Sequence, residues 1–186
     1  MNYMKWYFFV LISYLSLSAP ALPPSGDIAY KTFFTWSENR KLQWVDFQGT
    51  AYPNADEVAM AATSVEFNYS TKGDKISWTV TSKFFPKASW TKIHTENEEV
   101  LKHEQLHFDI TELYARTLRK ALKENIFSRA DLNKIRVISD QVLDQWSKEQ
   151  DNYDKKTNHG INKPQQKYWE NTIEKRLNAL QEFASP

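Results

Sequence analysis

The pentapeptide His103-Glu104-Gln105-Leu106-His107 lies inside a long stretch of sequence with strong helical character. No proline or glycine interrupts residues 95–122, and Thr95-Glu96-Asn97-Glu98 has the spacing of a capping box. The pattern predicts a helix from about Thr95 to about Leu122. Residues four apart on an α-helix differ by about 40° of rotation and one turn of rise, so both imidazoles can approach one metal ion.

Glu104 follows the first histidine on the same side of the predicted helix. In this H-E-x-x-H arrangement two neutral imidazoles bind zinc, and the glutamate takes a proton from a zinc-activated water molecule. Three protein ligands leave one coordination position open, and zinc lowers the pKa of water there to about 7. The pattern therefore predicts Zn²⁺ bound by His103 and His107, with Glu104 as general base. The alternative is a charged, solvated helix face, which the capped helical context disfavours.

The third metal ligand does not follow from the pentapeptide. On an ideal helix Asp109 and Glu112 are rotated by about 160° and 140° from His107, so we expect them to face elsewhere. The spacing of Glu112 and Arg116 is typical of a solvated surface ion pair.

Candidates for the third ligand outside the helix are His159, Asp154 and His94. We favour His159, because a loop beside Gly160 can deliver a side chain over the helix, and Asp154 and His94 remain alternatives. Tyr153 is a candidate for hydrogen bonding to a developing oxyanion, or for a supporting role as a packed aromatic residue.

The rest of the chain predicts strands first and helices afterwards. Strand-like patterns cover 42–49, 60–69 and 76–85, and Thr71-Lys72-Gly73-Asp74 predicts a turn between the last two. Ser128-Arg129-Ala130-Asp131 predicts the start of a second helix that ends near Asp151, followed by a loop over 152–163 and a last helix from about Pro164. This order indicates an α+β domain.

The first residues have the features of a signal peptide. Met1 to Lys5 carry one positive charge, Trp6 to Leu17 are almost wholly apolar, and Ala19-Pro20-Ala21 resembles a cleavage site. We expect residues 1–21 to be a signal peptide cleaved after Ala21, and residues 22–186 to form a single domain. The mature protein is then secreted or periplasmic, without a stable membrane anchor.

The net charge and the absence of cysteine exclude some kinds of partner and of covalent cross-link. The formal net charge is +1, so no strong field of one sign attracts nucleic acid, and we expect no nucleic-acid partner. The chain has no cysteine, which excludes disulfides and a lipid-modified cysteine. The oligomeric state does not follow from the sequence.

Four motifs of the chain are Leu42-x-Trp44-x-Asp46-Phe47-x-Gly49, His103 to Ile110, Glu112-x-Tyr114-Ala115-Arg116 and Tyr153-Asp154-x-x-Thr157-x-His159-Gly160. Together they resemble bacterial domain of unknown function 922, whose members are described as predicted secreted zinc-dependent proteases. The resemblance covers about Leu42 to Trp169, although Leu106 occupies a position where glycine is common in the family. It implies a zincin-like domain in which a twisted antiparallel sheet lies beside the active-site helix and two further C-terminal helices follow, with the strand 76–85 as a candidate edge for an extended peptide.

Three functions are compatible with these patterns. The first is an exported zinc metallopeptidase of the H-E-x-x-H type acting on peptides or proteins, and the second is a zinc amidase acting on cell-wall peptides. The third is a non-catalytic binding domain in which zinc is structural. Glu104 argues against the third, because a closed four-ligand site needs no free carboxylate beside an open position.

Overall fold

A computed structural model describes residues 32–92, 97–125 and 127–185. The predicted signal peptide and His94 lie outside these ranges. The described residues form an antiparallel sheet followed by three helices, which confirms the α+β prediction. Within the described ranges, none of the helices combines the length and apolar character that a membrane span requires.

A β-hairpin forms the largest part of the sheet, as predicted. The register pairs Lys72 with Lys75, so Gly73-Asp74 is a two-residue loop, and Gly73 takes the positive φ of 61° that such loops favour. The three-stranded sheet has the order β1-β4-β3, and β2 and β5 form a separate two-stranded ladder. The strands are β1 (Phe34–Thr35), β2 (Ala59–Met60), β3 (Thr63–Lys72), β4 (Lys75–Phe84) and β5 (Trp90–Thr91). The two residues of β1 pair with Lys83 and Phe84, so this end of β4, which the sequence left as a candidate edge, is covered by a neighbouring strand.

The predicted strand over 42–49 is also wrong, because this segment contains a 3-10 turn at Trp44–Asp46. The carboxylate of Asp46 accepts hydrogen bonds from the backbone N–H of Gln43 at 2.9 Å and from Arg40 Nη2 at 2.8 Å. The backbone N–H of Gln43 is therefore hydrogen-bonded within the turn and does not pair with a neighbouring strand.

The first helix begins close to its predicted position. Its N-cap is Asn97, whose Oδ1 accepts from the backbone N–H groups of Glu99 and Val100, so the cap lies two residues after the predicted Thr95. Its last residue, Lys123, is one residue beyond the predicted end. The three helices are α1 (Glu98–Lys123), α2 (Leu132–Thr157) and α3 (Lys163–Ala179).

Helix α2 starts as predicted but ends later. Ser128 and Asp131 form the predicted capping box, whereas the helix continues to Thr157 and not only to about Asp151. Half of the predicted loop over 152–163 is therefore helical. As a result Tyr153 and Asp154 stand on a regular helix that packs against α1.

Helix α1 is the central element, because it contacts β3, β4, α2 and α3. Glu112 and Arg116 are each 1% exposed, so the prediction of a solvated surface pair is wrong. Glu112 accepts from Arg116 Nε at 2.9 Å, Arg119 Nη1 at 3.0 Å and Ser82 Oγ at 2.6 Å. A central helix buries most of its circumference, and its charged residues then need partners from neighbouring elements.

Candidate metal centre

Two imidazole nitrogens and one carboxylate oxygen meet on the buried side of α1. His103 Nε2 lies 3.2 Å from His107 Nε2, and Asp154 Oδ1 lies 3.1 Å and 3.0 Å from these two atoms. In tetrahedral zinc sites with bonds of about 2.0–2.2 Å, neighbouring ligand atoms are separated by about 3.3 Å or slightly more. This triangle has nearly those dimensions, so the three residues are a buried group that could hold a metal ion.

Neutral side chains of α2 and α3 contact the other nitrogen of each imidazole. His107 Nδ1 lies 2.7 Å from Gln150 Oε1, and His103 Nδ1 lies 3.2 Å from Gln166 Oε1. Both rings are therefore held with Nε2 directed at Asp154. A hydrogen bond at the second nitrogen is the usual way that proteins orient a metal-binding histidine.

Tyr153 packs beneath the two histidines. Its ring stacks on His103 with centroids 4.7 Å apart, and its hydroxyl donates to Gln166 Oε1 at 2.8 Å. Burial raises the pKa of Tyr153 above its usual range. Of the two roles predicted from the sequence, this position favours support of the imidazoles over contact with a developing oxyanion.

The charges of Asp154 and the two histidines are strongly coupled. Burial opposes ionisation of His107, but the neighbouring Asp154 carboxylate outweighs this effect and raises the pKa of His107 to about 9. Burial likewise opposes the Asp154 charge, yet His107 and His103 hold the pKa of that carboxyl well below its usual range. A cation bound by the same three atoms would replace this proton as the partner of Asp154.

Glu104 lies beside the ligands, at the junction of α1 with the sheet. Burial raises its pKa, although the neighbouring His107 and His103 act in the opposite direction. Its Oε2 accepts a 2.7 Å hydrogen bond from the backbone N–H of Ala61, the residue after β2. The carboxylate is thus fixed in orientation and is coupled electrostatically to both candidate ligands.

His159 lies at the rim of the site. Its Nδ1 is 3.7 Å from Asp154 Oδ1 and its side chain is 40% exposed, so it does not belong to the compact group of three ligand atoms. The structure thus brings in Asp154, which the sequence kept as an alternative, and places the preferred His159 next to it. A role for His159 as a ligand stays a prediction.

Gly160 touches the first histidine directly. Its φ is +79°, and an added Cβ would lie 3.1 Å from both Cβ and Cγ of His103. We expect Gly160→Ala to displace the imidazole and to weaken zinc binding by about 10-fold or more, as losses of orienting contacts do. The measurement is competition with a chelator of known affinity.

Gly73→Ala is the matched control for that substitution. Gly73 also has a positive φ, of +61°, but open space surrounds the position of its Cβ. Both variants should lose about 1–2 kcal/mol of stability from the left-handed backbone, whereas only Gly160→Ala should lose zinc affinity. Equal zinc affinities for the two variants would contradict a role for the Gly160 contact.

Asp109 faces away from the metal centre, as the helical rotation predicts. Its Oδ1 accepts from Trp36 Nε1 at 2.6 Å and from Gln105 Nε2 at 2.8 Å. Asp109 also lines a groove of about 660 Å³ between α1, α3 and residues 36–42. None of the three candidate ligands lines this groove, so it is separate from the metal centre.

Gln150 and Gln166 are the site residues that the sequence reasoning missed entirely. A signal for one of them exists in α2, where Gln150, Tyr153, Asp154 and Thr157 recur at helical spacing and are all buried. This stripe is mostly polar, so a search for hydrophobic periodicity does not detect it. The signal is that these residues continue, at helical spacing, the hydrophobic stripe that ends at Trp146.

A match to a known protein family covers the candidate site except for Gln166. A family model described as "Bacterial protein of unknown function (DUF922)" matches residues 37–160, which include Glu104 and all candidate ligands in the described ranges. No curated protein and no solved structure matches the chain. The match extends over about two thirds of the sequence and confirms the resemblance stated above: the chain belongs to the bacterial DUF922 family of unknown function.

Proposed function

We propose that this chain is a zinc-dependent peptidase. The observation that carries the proposal is the triangle of His103 Nε2, His107 Nε2 and Asp154 Oδ1, with edges of 3.0–3.2 Å, beside the Glu104 carboxylate. Two imidazoles and one carboxylate are a ligand set of catalytic zinc sites, which keep one position open, whereas structural sites use four protein ligands. A zincin-like arrangement of sheet and active-site helix is part of the proposal.

The roles of the residues follow from their chemistry. His103, His107 and Asp154 would hold the ion, and zinc bound there would supply a Lewis acid that polarises a carbonyl and lowers the pKa of water to about 7. Glu104 would take a proton from the attacking water and return it to the leaving amine. The Ala61 N–H would keep the Glu104 carboxylate in place for both transfers.

The proposal includes export through the predicted signal peptide, so the substrate would be a peptide or protein outside the cytoplasm. Stem peptides of the cell wall contain amide bonds open to the same chemistry. Assays on unfolded protein and on stem peptides would therefore separate a general peptidase from a cell-wall amidase.

Structural zinc is a second candidate, and the position of His159 favours it. With Nδ1 only 3.7 Å from Asp154 Oδ1, His159 is close enough to become a fourth ligand after a small side-chain movement. Four protein ligands would close the site and leave no position for water.

Metal content and coordination test the proposal directly. The purified chain without residues 1–21 is expected to bind about one zinc ion and to lose thermal stability when a chelator removes it. Elemental analysis gives the stoichiometry, and X-ray absorption spectroscopy gives the ligands, which should be two imidazoles, a carboxylate and one solvent oxygen. Protein that takes up no zinc from excess metal would end the zinc proposal. A site with four protein ligands and no hydrolysis of either substrate would favour structural zinc.

A further inference from the structure

We infer that Gln150 and Gln166 are positioning residues that set the tautomer of the two candidate zinc ligands. The inference rests on the proposed metal site, and it assigns a role to the amides that pack behind the imidazoles. Gln150 and Gln166 are 4% and 3% exposed, so water does not compete for their hydrogen bonds.

The orientation of Gln150 follows from a backbone group. Its Nε2 donates to the carbonyl oxygen of His107 at 3.0 Å and to Thr111 Oγ1 at 3.2 Å. A carbonyl oxygen only accepts, so the amide nitrogen must face it and the amide oxygen must face His107 Nδ1 at 2.7 Å. Nδ1 therefore carries a proton, and the neutral ring presents the lone pair of Nε2 to the metal site.

The amide orientation of Gln166 is set by Glu170 and also directs Oε1 toward a histidine. Its Nε2 donates to the carboxylate of Glu170 at 3.2 Å, which leaves its Oε1 facing the Tyr153 hydroxyl and His103 Nδ1. An amide oxygen between these two groups can only accept. His103 must then be protonated on Nδ1, so both histidines present Nε2 as a ligand atom.

The neutral charge of the two amides matters as much as their geometry. Asp154 is a buried carboxylate that would contact the ion, and Glu104 is a second buried carboxylate beside the site. Carboxylates at positions 150 and 166 would hold the same tautomers but would add buried negative charge without a partner. Amides orient the rings without that cost and leave the charge of the cation undiminished.

The test compares Gln150→Met and Gln166→Met with the parent in the whole mature chain. Methionine has about the same length, but its thioether sulfur accepts a hydrogen bond from Nδ1–H only weakly. Zinc affinity, measured by chelator competition, is expected to fall by about 10- to 100-fold in each variant. In the zinc-loaded parent, the Nδ1–H protons of both histidines are expected to be protected from exchange and shifted downfield by their hydrogen bonds. The histidine whose partner is replaced is expected to lose both features.

Gln145→Met is the matched control, because Gln145 is exposed on the same helix as Gln150. Its zinc affinity and its ¹⁵N spectrum should equal those of the parent. Gln150→Glu provides a second variant, since a carboxylate restores an acceptor and should restore the His107 Nδ1–H signal that Gln150→Met loses.

Folded methionine variants with parental zinc affinity and intact Nδ1–H signals would overturn the inference while the zinc proposal stood. If the parent bound no zinc, the zinc proposal would fail, and the tautomers of the two rings in parent and variants, measured from imidazole ¹⁵N shifts at a pH where the rings are uncharged, would decide the inference alone. Failure of Gln150→Glu to restore the His107 signal would also count against it.

Discussion

Asp154→Ala is expected to weaken zinc binding by about 100-fold or more. Loss of a residue that only orients a ligand costs about 10- to 100-fold, and Asp154 is placed to bind the metal itself. Its Oδ1 lies 3.0–3.1 Å from both imidazole Nε2 atoms, where no other described carboxylate replaces it. The measurement is chelator competition on the mature chain, with circular dichroism to confirm that the variant is folded.

Asp151→Ala is the control for this substitution, and His159→Ala is the variant to compare with it. Asp151 is exposed and lies on the same helix three residues earlier, so its replacement should leave zinc affinity unchanged. His159→Ala should have a smaller effect than Asp154→Ala, because the His159 side chain is 40% exposed and lies outside the compact triangle. If His159→Ala weakened binding as much as Asp154→Ala, the site would have four protein ligands and the structural-zinc candidate would gain.

The sequence predicted the histidine pair and Glu104 correctly as neighbours because their geometry is local. An i, i+4 pair on a helix meets whatever the rest of the fold does. The helix itself was also predictable from its uninterrupted residues, within two residues at its start and one at its end. The rotation per residue of an α-helix also correctly predicted that Asp109 faces away from the metal centre.

The third ligand was harder to predict because it depends on contacts that are distant in sequence. Hydrophobic residues of α2 recur only up to Trp146, after which the buried residues are mainly polar, so the sequence suggested a loop where the helix continues to Thr157. A loop favoured His159, whereas a helix presents Asp154 together with Tyr153 and Gln150 on its inner side.

The burial of Glu112 and Arg116 also could not be predicted from residue spacing within α1. Glu112 and Arg116 have the spacing of a surface ion pair, but α1 packs against the sheet and both other helices. Their burial is satisfied by groups from other elements, namely Ser82 of β4 and the backbone carbonyl of Leu177 in α3. These partners are 30 and 61 residues away in the chain, which no periodicity within α1 reveals.

Glu104→Gln is expected to reduce peptide hydrolysis by about 100- to 10,000-fold, the usual contribution of a general base. Glutamine has the same shape and can still accept the 2.7 Å hydrogen bond from the Ala61 N–H, so the fold and the site should persist. It cannot take a proton from water at neutral pH, so the chemical step alone should slow. Turnover is measured at full zinc occupancy, with zinc affinity determined on the same samples.

Glu98→Gln is the control for this substitution, because Glu98 is exposed in the first turn of the same helix. Its activity should match the parent, since Glu98 is more than one turn away from the ligands. Parental turnover in Glu104→Gln with zinc fully bound would show that another group is the base. A zinc affinity that fell together with turnover would instead indicate that Glu104 supports the metal ligands. Only a loss of turnover with unchanged zinc affinity agrees with proton transfer by Glu104, because a structural role in the site would change both quantities.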